Sequence, residues 1–392
     1  MAILLSDLFH TSKDIYKLQL IAGKEGLSQS VLWVYLAEDM NEDFLRGGEL
    51  VITTGMFIYQ DPDWILHLVH AVKKCHCCGL ILNIGKHLFP EHLTREILDF
   101  CNEAQLPLFL MPWEIHIADL TQDYCNRIFK ESQRNDMLTE AIQSLFYSSE
   151  HFARHLPLLE SHGYHPKDTY HIAVMDVSFP HMDAASFERK LFLITNNYFG
   201  NRKTTDFFFS MNQQFLLFLH NHSEEEVGRI IEELSHLYHQ TFPEAFWHIG
   251  VGSSVQELIQ LSTGYSRALA ALSYAQYYHL AIAHFSALGI YKILFSVSDR
   301  KLLVDYYHEQ LGPLLEYDGI HNSDYAKTLY YYIKYGGSIQ QVAAKMTCHR
   351  NTINYRIKKI RALLPVSIDD NETCFLLYLA YTIQDYLQIP YS

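Results

Sequence analysis

The hydrophobic pattern of residues 1–116 alternates between two periods. Short runs rich in Leu, Val and Ile, such as "VLWVYLAE" at 31–38 and "GLILNIG" at 79–85, are typical of buried strands. The stretches 62–76 and 90–104 between such runs have helical spacing. Strands alternating with helices predict a doubly wound, mostly parallel α/β sheet, which binds its ligands at the carboxyl ends of the strands.

Helical spacing continues after this region. Apolar residues recur at Ile117, Leu120, Tyr124 and Ile128, which indicates a helical connector over 117–163. From 164 to 285 the pattern reads strand, helix, hairpin, helix, strand and helix, beginning with "YHIAVMDV". This order predicts a second, α+β domain with a mainly antiparallel sheet. The pattern from 286 to 392 stays helical, so we expect an all-α domain there.

Two helices separated by a very short turn are predicted within the last of these regions. Ser338 with Gln341 has the form of a capping box that begins a short helix. The second helix carries an apolar stripe of about three turns, formed by Ile353, Ile357, Ile360 and Leu364. A short helix, a tight turn and a longer helix over 338–364 are the layout of a helix-turn-helix, whose second helix enters the major groove of DNA.

The charge distribution indicates what the predicted helix-turn-helix binds. The formal net charge is −14, yet 44 residues from Tyr325 to Ile368 contain eight Lys or Arg and no Asp or Glu. A helix that only faces water usually mixes both signs, because pairs of opposite charge one turn apart stabilise it. A polyanion would be repelled by the chain as a whole, so the basic segment predicts a local surface for double-stranded DNA.

The side of the second helix opposite the stripe carries Asn351, Tyr355, Lys358 and Lys359, while Arg350, Asn354 and Arg361 border the stripe on one side and Thr352 and Arg356 on the other. Arg350, Asn351 and Tyr355 are expected to face base edges, since Arg and Asn can each form paired hydrogen bonds with a base. The expected phosphate contacts are Thr352, Arg356, Lys358 and Lys359, and the turn residues Thr347 and His349 complete the predicted DNA-binding set.

The motif "HRNTINYR" at 349–356 resembles the helix-turn-helix core of PucR/CdaR-type bacterial transcription regulators. The segments "AGKEGLSQSVLWVYLAED", "LRGGELVITTG" and "LPLFLMPWEI" resemble the sensor domain that heads many of these proteins. Their degenerate GGDEF-like domain resembles "IGVGSSVQELIQLSTGYSRALAALSYA". The family's domain order then implies an α/β sensor (1–116), the helical connector, a GGDEF-like α+β domain (164–285) and a helical domain with the helix-turn-helix (286–392).

The resemblance implies an effector-responsive transcription regulator of small-molecule catabolism, with purines, amino acids or sugar acids as candidate effectors. One helix-turn-helix contacts too few bases for strong binding, so we expect a homodimer or larger assembly on two half-sites. The chain shows neither a secretory leader nor an apolar run long enough to span a bilayer, which predicts a cytoplasmic location.

Catalytic chemistry is not expected. A nucleotide cyclase needs glycines and carboxylates at the tip of the middle-domain hairpin, whereas this tip reads "SMNQQF". No Walker loop, G-x-S-x-G or G-x-G-x-x-G motif is present. A working cyclase is therefore the disfavoured alternative. The second alternative is a metabolite-binding protein whose helix-turn-helix serves only assembly.

Metal binding, cofactors and disulfides are not expected either. The sequence "CHCC" at 75–78, with His67 and His70 upstream, has thiolate and imidazole groups that zinc prefers. Two of its cysteines are adjacent and no second cluster follows in a useful register, so packed small side chains are the preferred interpretation. The seven cysteines show no framework spacing, which predicts free thiols.

The segment "GGELVITTG" at 47–55 is the candidate effector site. Gly47 and Gly48 allow close backbone approach, Glu49 offers a charged acceptor, and Thr53 and Thr54 offer hydroxyls at a strand end. A tight turn followed by strand packing explains the same residues, and the sequence does not decide between these two interpretations.

Overall fold

The computed structural model describes residues 3–38, 42–59, 61, 63–179, 183–202 and 204–390. The chain forms two compact units, Met1–Leu272 and Ser273–Ser392.

The described residues of the first unit form two large sheets, a small two-stranded sheet of Ile3–Leu4 with Ser30–Val31, and the helices that cover the large sheets. Its strands are β1 (Ile3–Leu4), β2 (Gln19–Ala22), β3 (Ser30–Val31), β4 (Trp33–Leu36), β5 (Glu49–Thr53), β6 (Gly79–Ile84), β7 (Leu108–Pro112), β8 (Tyr170–Ser178), β9 (Phe207–Met211), β10 (Gln214–His220) and β11 (Phe246–Val251). Its helices are α1 (Leu5–Ser12), α2 (Trp64–Lys74), α3 (Arg95–Glu103), α4 (Ile117–Tyr147), α5 (Phe152–Ser161), α6 (Ala184–Arg202), α7 (Glu224–Thr241) and α8 (Leu261–Tyr277), whose last residues belong to the second unit.

The first sheet has the order β2-β7-β6-β5-β4. Strands β4 to β7 are parallel, and β2 pairs with β7 antiparallel at the edge. Successive side chains of β5 point to opposite faces: Leu50 and Ile52 join the core that α1 and α4 cover, whereas Val51 joins the core that α2 and α3 cover. The predicted doubly wound α/β fold is confirmed, with α1 as a helix that the sequence pattern did not predict.

The second sheet is antiparallel, and within the first unit its order is β11-β8-β10-β9. Its element order, β8-α6-β9-β10-α7-β11-α8, confirms the predicted α+β pattern. Helix α4 contributes to one core beside each of the two sheets. Leu120 and Tyr124 near its start pack beside the first sheet, and Leu138, Ile142 and Phe146 near its end pack beside the second.

The second unit is almost entirely helical, as predicted. It contains a short strand, β12 (Ile282–His284), and the helices α9 (Tyr291–Ser296), α10 (Arg300–His321), α11 (Tyr325–Lys334), α12 (Ile339–Lys345), α13 (Arg350–Leu363) and α14 (Asn371–Gln388). Helices α10 to α14 share one hydrophobic core. Of the helices in the described residues, none is long and apolar enough to cross a membrane.

Candidate nucleic-acid interface

Helices α12 and α13 form the predicted helix-turn-helix. The hydroxyl of Ser338 accepts a 3.4 Å hydrogen bond from the backbone N–H of Gln341, so the predicted cap begins α12. Residues 346–349 connect the two helices. In this turn Thr347 has a left-handed φ of 55°, and the N–H of Cys348 donates to the carbonyl of Ala343 at 3.0 Å. The connection between the two helices is thus one tight turn.

The apolar stripe of α13 faces the protein interior. Ile353, Ile357 and Ile360 are buried and pack in one core with Leu329 of α11 and Val342 of α12. Burial of three large aliphatic side chains on one side of a fourteen-residue helix fixes its rotation about its own axis. The predicted buried side is confirmed.

The opposite side of α13 is exposed, and we call it the basic face. Tyr355 is 58% exposed, and the Lys359 ammonium lies 5.9 Å from the centroid of its ring. Over the described residues, no carboxylate forms an ion pair with Arg350, Lys358 or Lys359. The basic face consists of Arg350, Asn351, Thr352, Asn354, Tyr355, Lys358 and Lys359, all of which are exposed.

His349 caps the start of α13. Its Nδ1 accepts a 3.3 Å hydrogen bond from the backbone N–H of Asn351, and the residue as a whole is exposed. Thr347 in the turn is exposed as well. The two predicted turn residues therefore border the basic face, and His349 also orders the first turn of the helix.

Arg356 is placed differently from the other predicted contacts. Its guanidinium donates to the Thr328 hydroxyl at 3.2 Å and lies 3.5 Å from a carboxylate oxygen of Asp324, with 18% of the side chain exposed. Because both partners are on or beside α11, Arg356 joins α13 to the rest of the unit. The expected phosphate contact of Arg356 stays a prediction, and these partners give the residue a structural role as well.

Arg361 is also neutralised within the protein. It forms two hydrogen bonds to the carboxylate of Asp369, of 2.7 and 3.2 Å. Asp324 and Asp369 both lie just outside the acid-free segment 325–368. Two of the eight Lys and Arg residues of the segment 325–368 therefore pair with carboxylates that lie just outside it.

The polar groups of the candidate effector segment, residues 47–55, form hydrogen bonds within the protein. The buried Glu49 carboxylate accepts from the backbone N–H groups of Arg46 at 2.9 Å and Gly47 at 2.8 Å. The fully buried Thr53 hydroxyl accepts from the N–H of Gly55, and the N–H of Thr54 donates to Glu38. Gly47 and Gly48 are buried with positive φ, as a tight turn requires. This geometry favours the turn-and-packing interpretation for Glu49 and Thr53.

The hairpin tip of the second sheet, residues 211–214, carries amide side chains and no carboxylate. Asn212 and Gln213 both have left-handed φ, which forms a two-residue turn. The Asn212 amide donates to the Tyr147 hydroxyl at 2.8 Å. In the part of the chain that the structure describes, no three His, Cys, Asp or Glu residues form a metal-binding group. Cys77 and Cys78 are buried, and burial raises the pKa of both thiols.

Family models match three segments of the chain in the predicted order. The purine catabolism regulatory protein-like family matches residues 9–128, the GGDEF-like domain matches 156–274, and the PucR C-terminal helix-turn-helix domain matches 325–383. Every residue of the basic face falls inside the last of these segments.

Three proteins of Bacillus subtilis (strain 168) show similarity over about a third of this chain. The proline-responsive transcriptional activator PutR is 28% identical over 149 residues, which are 37% of this chain and 36% of PutR. A purine catabolism regulatory protein is 26% identical over 35% of this chain and 24% of its own length. The DNA-binding transcriptional activator AdeR is 27% identical over 33% of this chain and 32% of its own length. The matches thus span about a quarter to a third of each relative.

Proposed function

The chain belongs to the PucR family through all three of its matched domains, and from that premise we propose that it is a sequence-specific DNA-binding regulator of transcription. Its proposed domains are the sensor at 1–116, the connector at 117–163, the GGDEF-like domain at 164–285 and the helical domain at 286–392. The proposed targets are genes of small-molecule catabolism, because the relatives include a proline-responsive activator and a purine catabolism regulator.

The basic face of α13 carries this proposal. The buried isoleucines of α13 hold the helix against the core of the second unit, while the arginine, asparagine and lysine side chains of the basic face point away from that core. Arg350 and Asn351 in the first turn offer the paired hydrogen-bond geometry that reads guanine and adenine in the major groove. Lys358 and Lys359 lie two turns further on, where flexible ammoniums suit phosphate oxygens.

A single helix-turn-helix reads a few base pairs, so we propose that two copies of the chain bind two half-sites. An effector that binds the first unit would change which arrangement of the dimer is populated. The proposed location is the cytoplasm, where regulator, effector and DNA meet.

A gel-shift experiment tests the proposal. The full chain is titrated against a duplex from upstream of its own gene and against an unrelated duplex of equal length and base composition. We expect tighter binding of the upstream duplex at the same salt concentration. Equal affinity for both duplexes would favour a metabolite-binding protein that uses its helix-turn-helix only for assembly.

The disfavoured cyclase alternative has its own test. The chain is incubated with GTP and magnesium, and the nucleotides are separated by chromatography. We expect unchanged GTP, because the hairpin tip has amides where a cyclase needs carboxylates.

A further inference from the structure

A cavity of about 480 Å3 lies inside the first unit, between the domain of the first sheet and the domain of the second. The end of α2 and the turn before β5 form one wall, with Lys73, His76 and Gly47. Helix α6 forms the facing wall, with Lys190 and Asn197. Small-molecule sites typically measure roughly 300 to 1,000 Å3. The cavity is therefore large enough for a metabolite.

The two domains meet closely beside this cavity. The backbone N–H of Ser30 donates to the Asn197 side-chain oxygen at 2.7 Å, and the Ser28 hydroxyl donates to Asn201. A side chain at Gly200 would place its Cβ 2.8 Å from Leu4, so glycine permits the approach of α6. Specific contacts thus hold the cavity walls in place.

The cavity lining is rich in positive charge. Lys73, Arg46 and Lys190 all contribute to it, and no carboxylate of the described residues forms an ion pair with any of the three. Lys74, the next residue on α2, instead pairs with Glu42 at 2.5 Å. Glu25 adds one carboxylate to the lining, on an exposed side chain. The lining residues thus include three cations and one carboxylate, and the Glu49 carboxylate adjoins them through the N–H groups of Arg46 and Gly47.

Lysines from the two walls act on the same imidazole. Burial lowers the pKa of His76, and the charges of Lys190 and then Lys73 lower it further. Lys190, Lys73 and His76 all line the cavity. Burial also lowers the pKa of Lys73. Like charges from two domains thus face a common space, and their repulsion disfavours this packing until an anion neutralises them.

We propose that this cavity binds a small organic anion whose carboxylate or phosphate group is held by Lys73 from the sensor and Lys190 from the GGDEF-like domain. The amides of Asn197 and Gln105 in the lining offer hydrogen bonds to the polar body of such a ligand. Gly47 of the segment 47–55 lines this cavity, but the ligand would meet lysines there rather than the Glu49 carboxylate, which accepts hydrogen bonds from the N–H groups of Arg46 and Gly47.

The bound anion would bridge the two domains. It favours the packed arrangement over one in which the domains separate, because only the packed arrangement brings both lysines to it. Helix α4 packs into one core beside each of the two sheets, so a change in how the two domains pack would act on both ends of this helix. The regulatory part of this inference rests on the proposed function, whereas the binding part does not.

The binding test uses the full chain with inorganic phosphate and with succinate, at constant ionic strength. Calorimetry gives the affinity, and hydrogen exchange gives the location. We expect at least one probe to bind and to slow exchange in peptides covering both 72–77 and 190–201. The double variant Lys73→Gln/Lys190→Gln should bind about tenfold more weakly or worse, since both charges are lost. Lys74→Gln, the neighbouring exposed lysine, should bind as the parent does.

A thermal melt without added anion checks that the double variant is folded. It should melt no lower than the parent, because it has lost the repulsion between the two lysines. Failure of both probes to bind the parent would overturn the proposal, as would parental affinity in the double variant. The same preparations are used in the gel shift. A retained shift with no anion binding rejects this site alone, and anion binding without a shift rejects only the DNA-binding function.

Discussion

Arg356 on α13 donates a 3.2 Å hydrogen bond to the hydroxyl of Thr328 on α11, a side chain with no exposed surface. This contact crosses from the helix that carries the basic face to the core of the unit. The Arg356 guanidinium also lies 3.5 Å from the carboxylate of Asp324, the residue immediately before α11. The arginine thus helps to orient the basic face without belonging to it.

Arg356→Ala should therefore destabilise α13 locally. Loss of a hydrogen bond to a buried hydroxyl costs about 1 to 2 kcal/mol, because the Thr328 hydroxyl loses a partner within the core. Hydrogen exchange of peptides covering 350–363 in the full chain measures this cost as faster exchange. Arg350→Ala removes an exposed arginine of the same helix and should leave those rates unchanged. Equal rates in both variants would reject the orienting role of Arg356.

Asn351→Ala should lower the preference of the chain among DNA sequences. A paired contact between asparagine and adenine is worth about 1 to 3 kcal/mol of discrimination. The measurement is the ratio of affinities for the bound upstream site and for the same site with single base changes. Lys359→Ala is the matched comparison, since loss of a phosphate contact weakens all duplexes alike and keeps the ratio. An unchanged ratio in Asn351→Ala would remove this residue from the base-reading surface.

The His222–Asp206 pair predicts a pH dependence of stability in the GGDEF-like domain. The imidazole Nε2 lies 2.9 Å from both oxygens of the fully buried Asp206 carboxylate. This hydrogen bond raises the pKa of His222 above its ordinary value, Glu226 adds to the effect, and burial and Arg202 oppose it. With the pKa higher in the folded state, the stabilisation is complete below the unfolded value of about 6.5 and is lost as pH rises through the folded pKa.

The difference in melting temperature between the parent and His222→Gln should consequently shrink as the pH rises above about 6.5. His239→Gln is a suitable control, because its ring contacts the Ser235 carbonyl and forms no ion pair with a carboxylate of the described residues. A difference that stays constant or grows with pH would contradict the charged pair.

The periodicity of the sequence predicted most elements because each buried strand and helix repeats its own apolar spacing. The stripe Ile353, Ile357 and Ile360 is one example, since its residues are neighbours on one helix. Helix α1 was missed because it is short and directly follows the strand β1. Local pattern could place Arg356 at the edge of the stripe, but it could not supply the partners Thr328 and Asp324 on another element.

Glu49 and the cavity are two further features that the local sequence pattern does not predict. A glutamate after two glycines offers an accessible acceptor in sequence, but in the fold its carboxylate turns back to the N–H groups of Arg46 and Gly47. Lys73 and Lys190 lie far apart in sequence and line one cavity because α6 packs on the first domain. The Glu49 bonds depend on the local conformation of the turn, the cavity depends on contacts between distant segments, and apolar spacing encodes neither.

The salt dependence of DNA binding by the double variant Lys358→Gln/Lys359→Gln tests the central claim most directly. Each phosphate contact contributes about 0.9 to the slope of log affinity against log salt concentration, so loss of two contacts should flatten the slope by nearly 2. Lys301→Gln, at an exposed position on α10, should keep the parental slope. If the double variant retains both the affinity and the slope of the parent, the exposed side of α13 does not bind DNA.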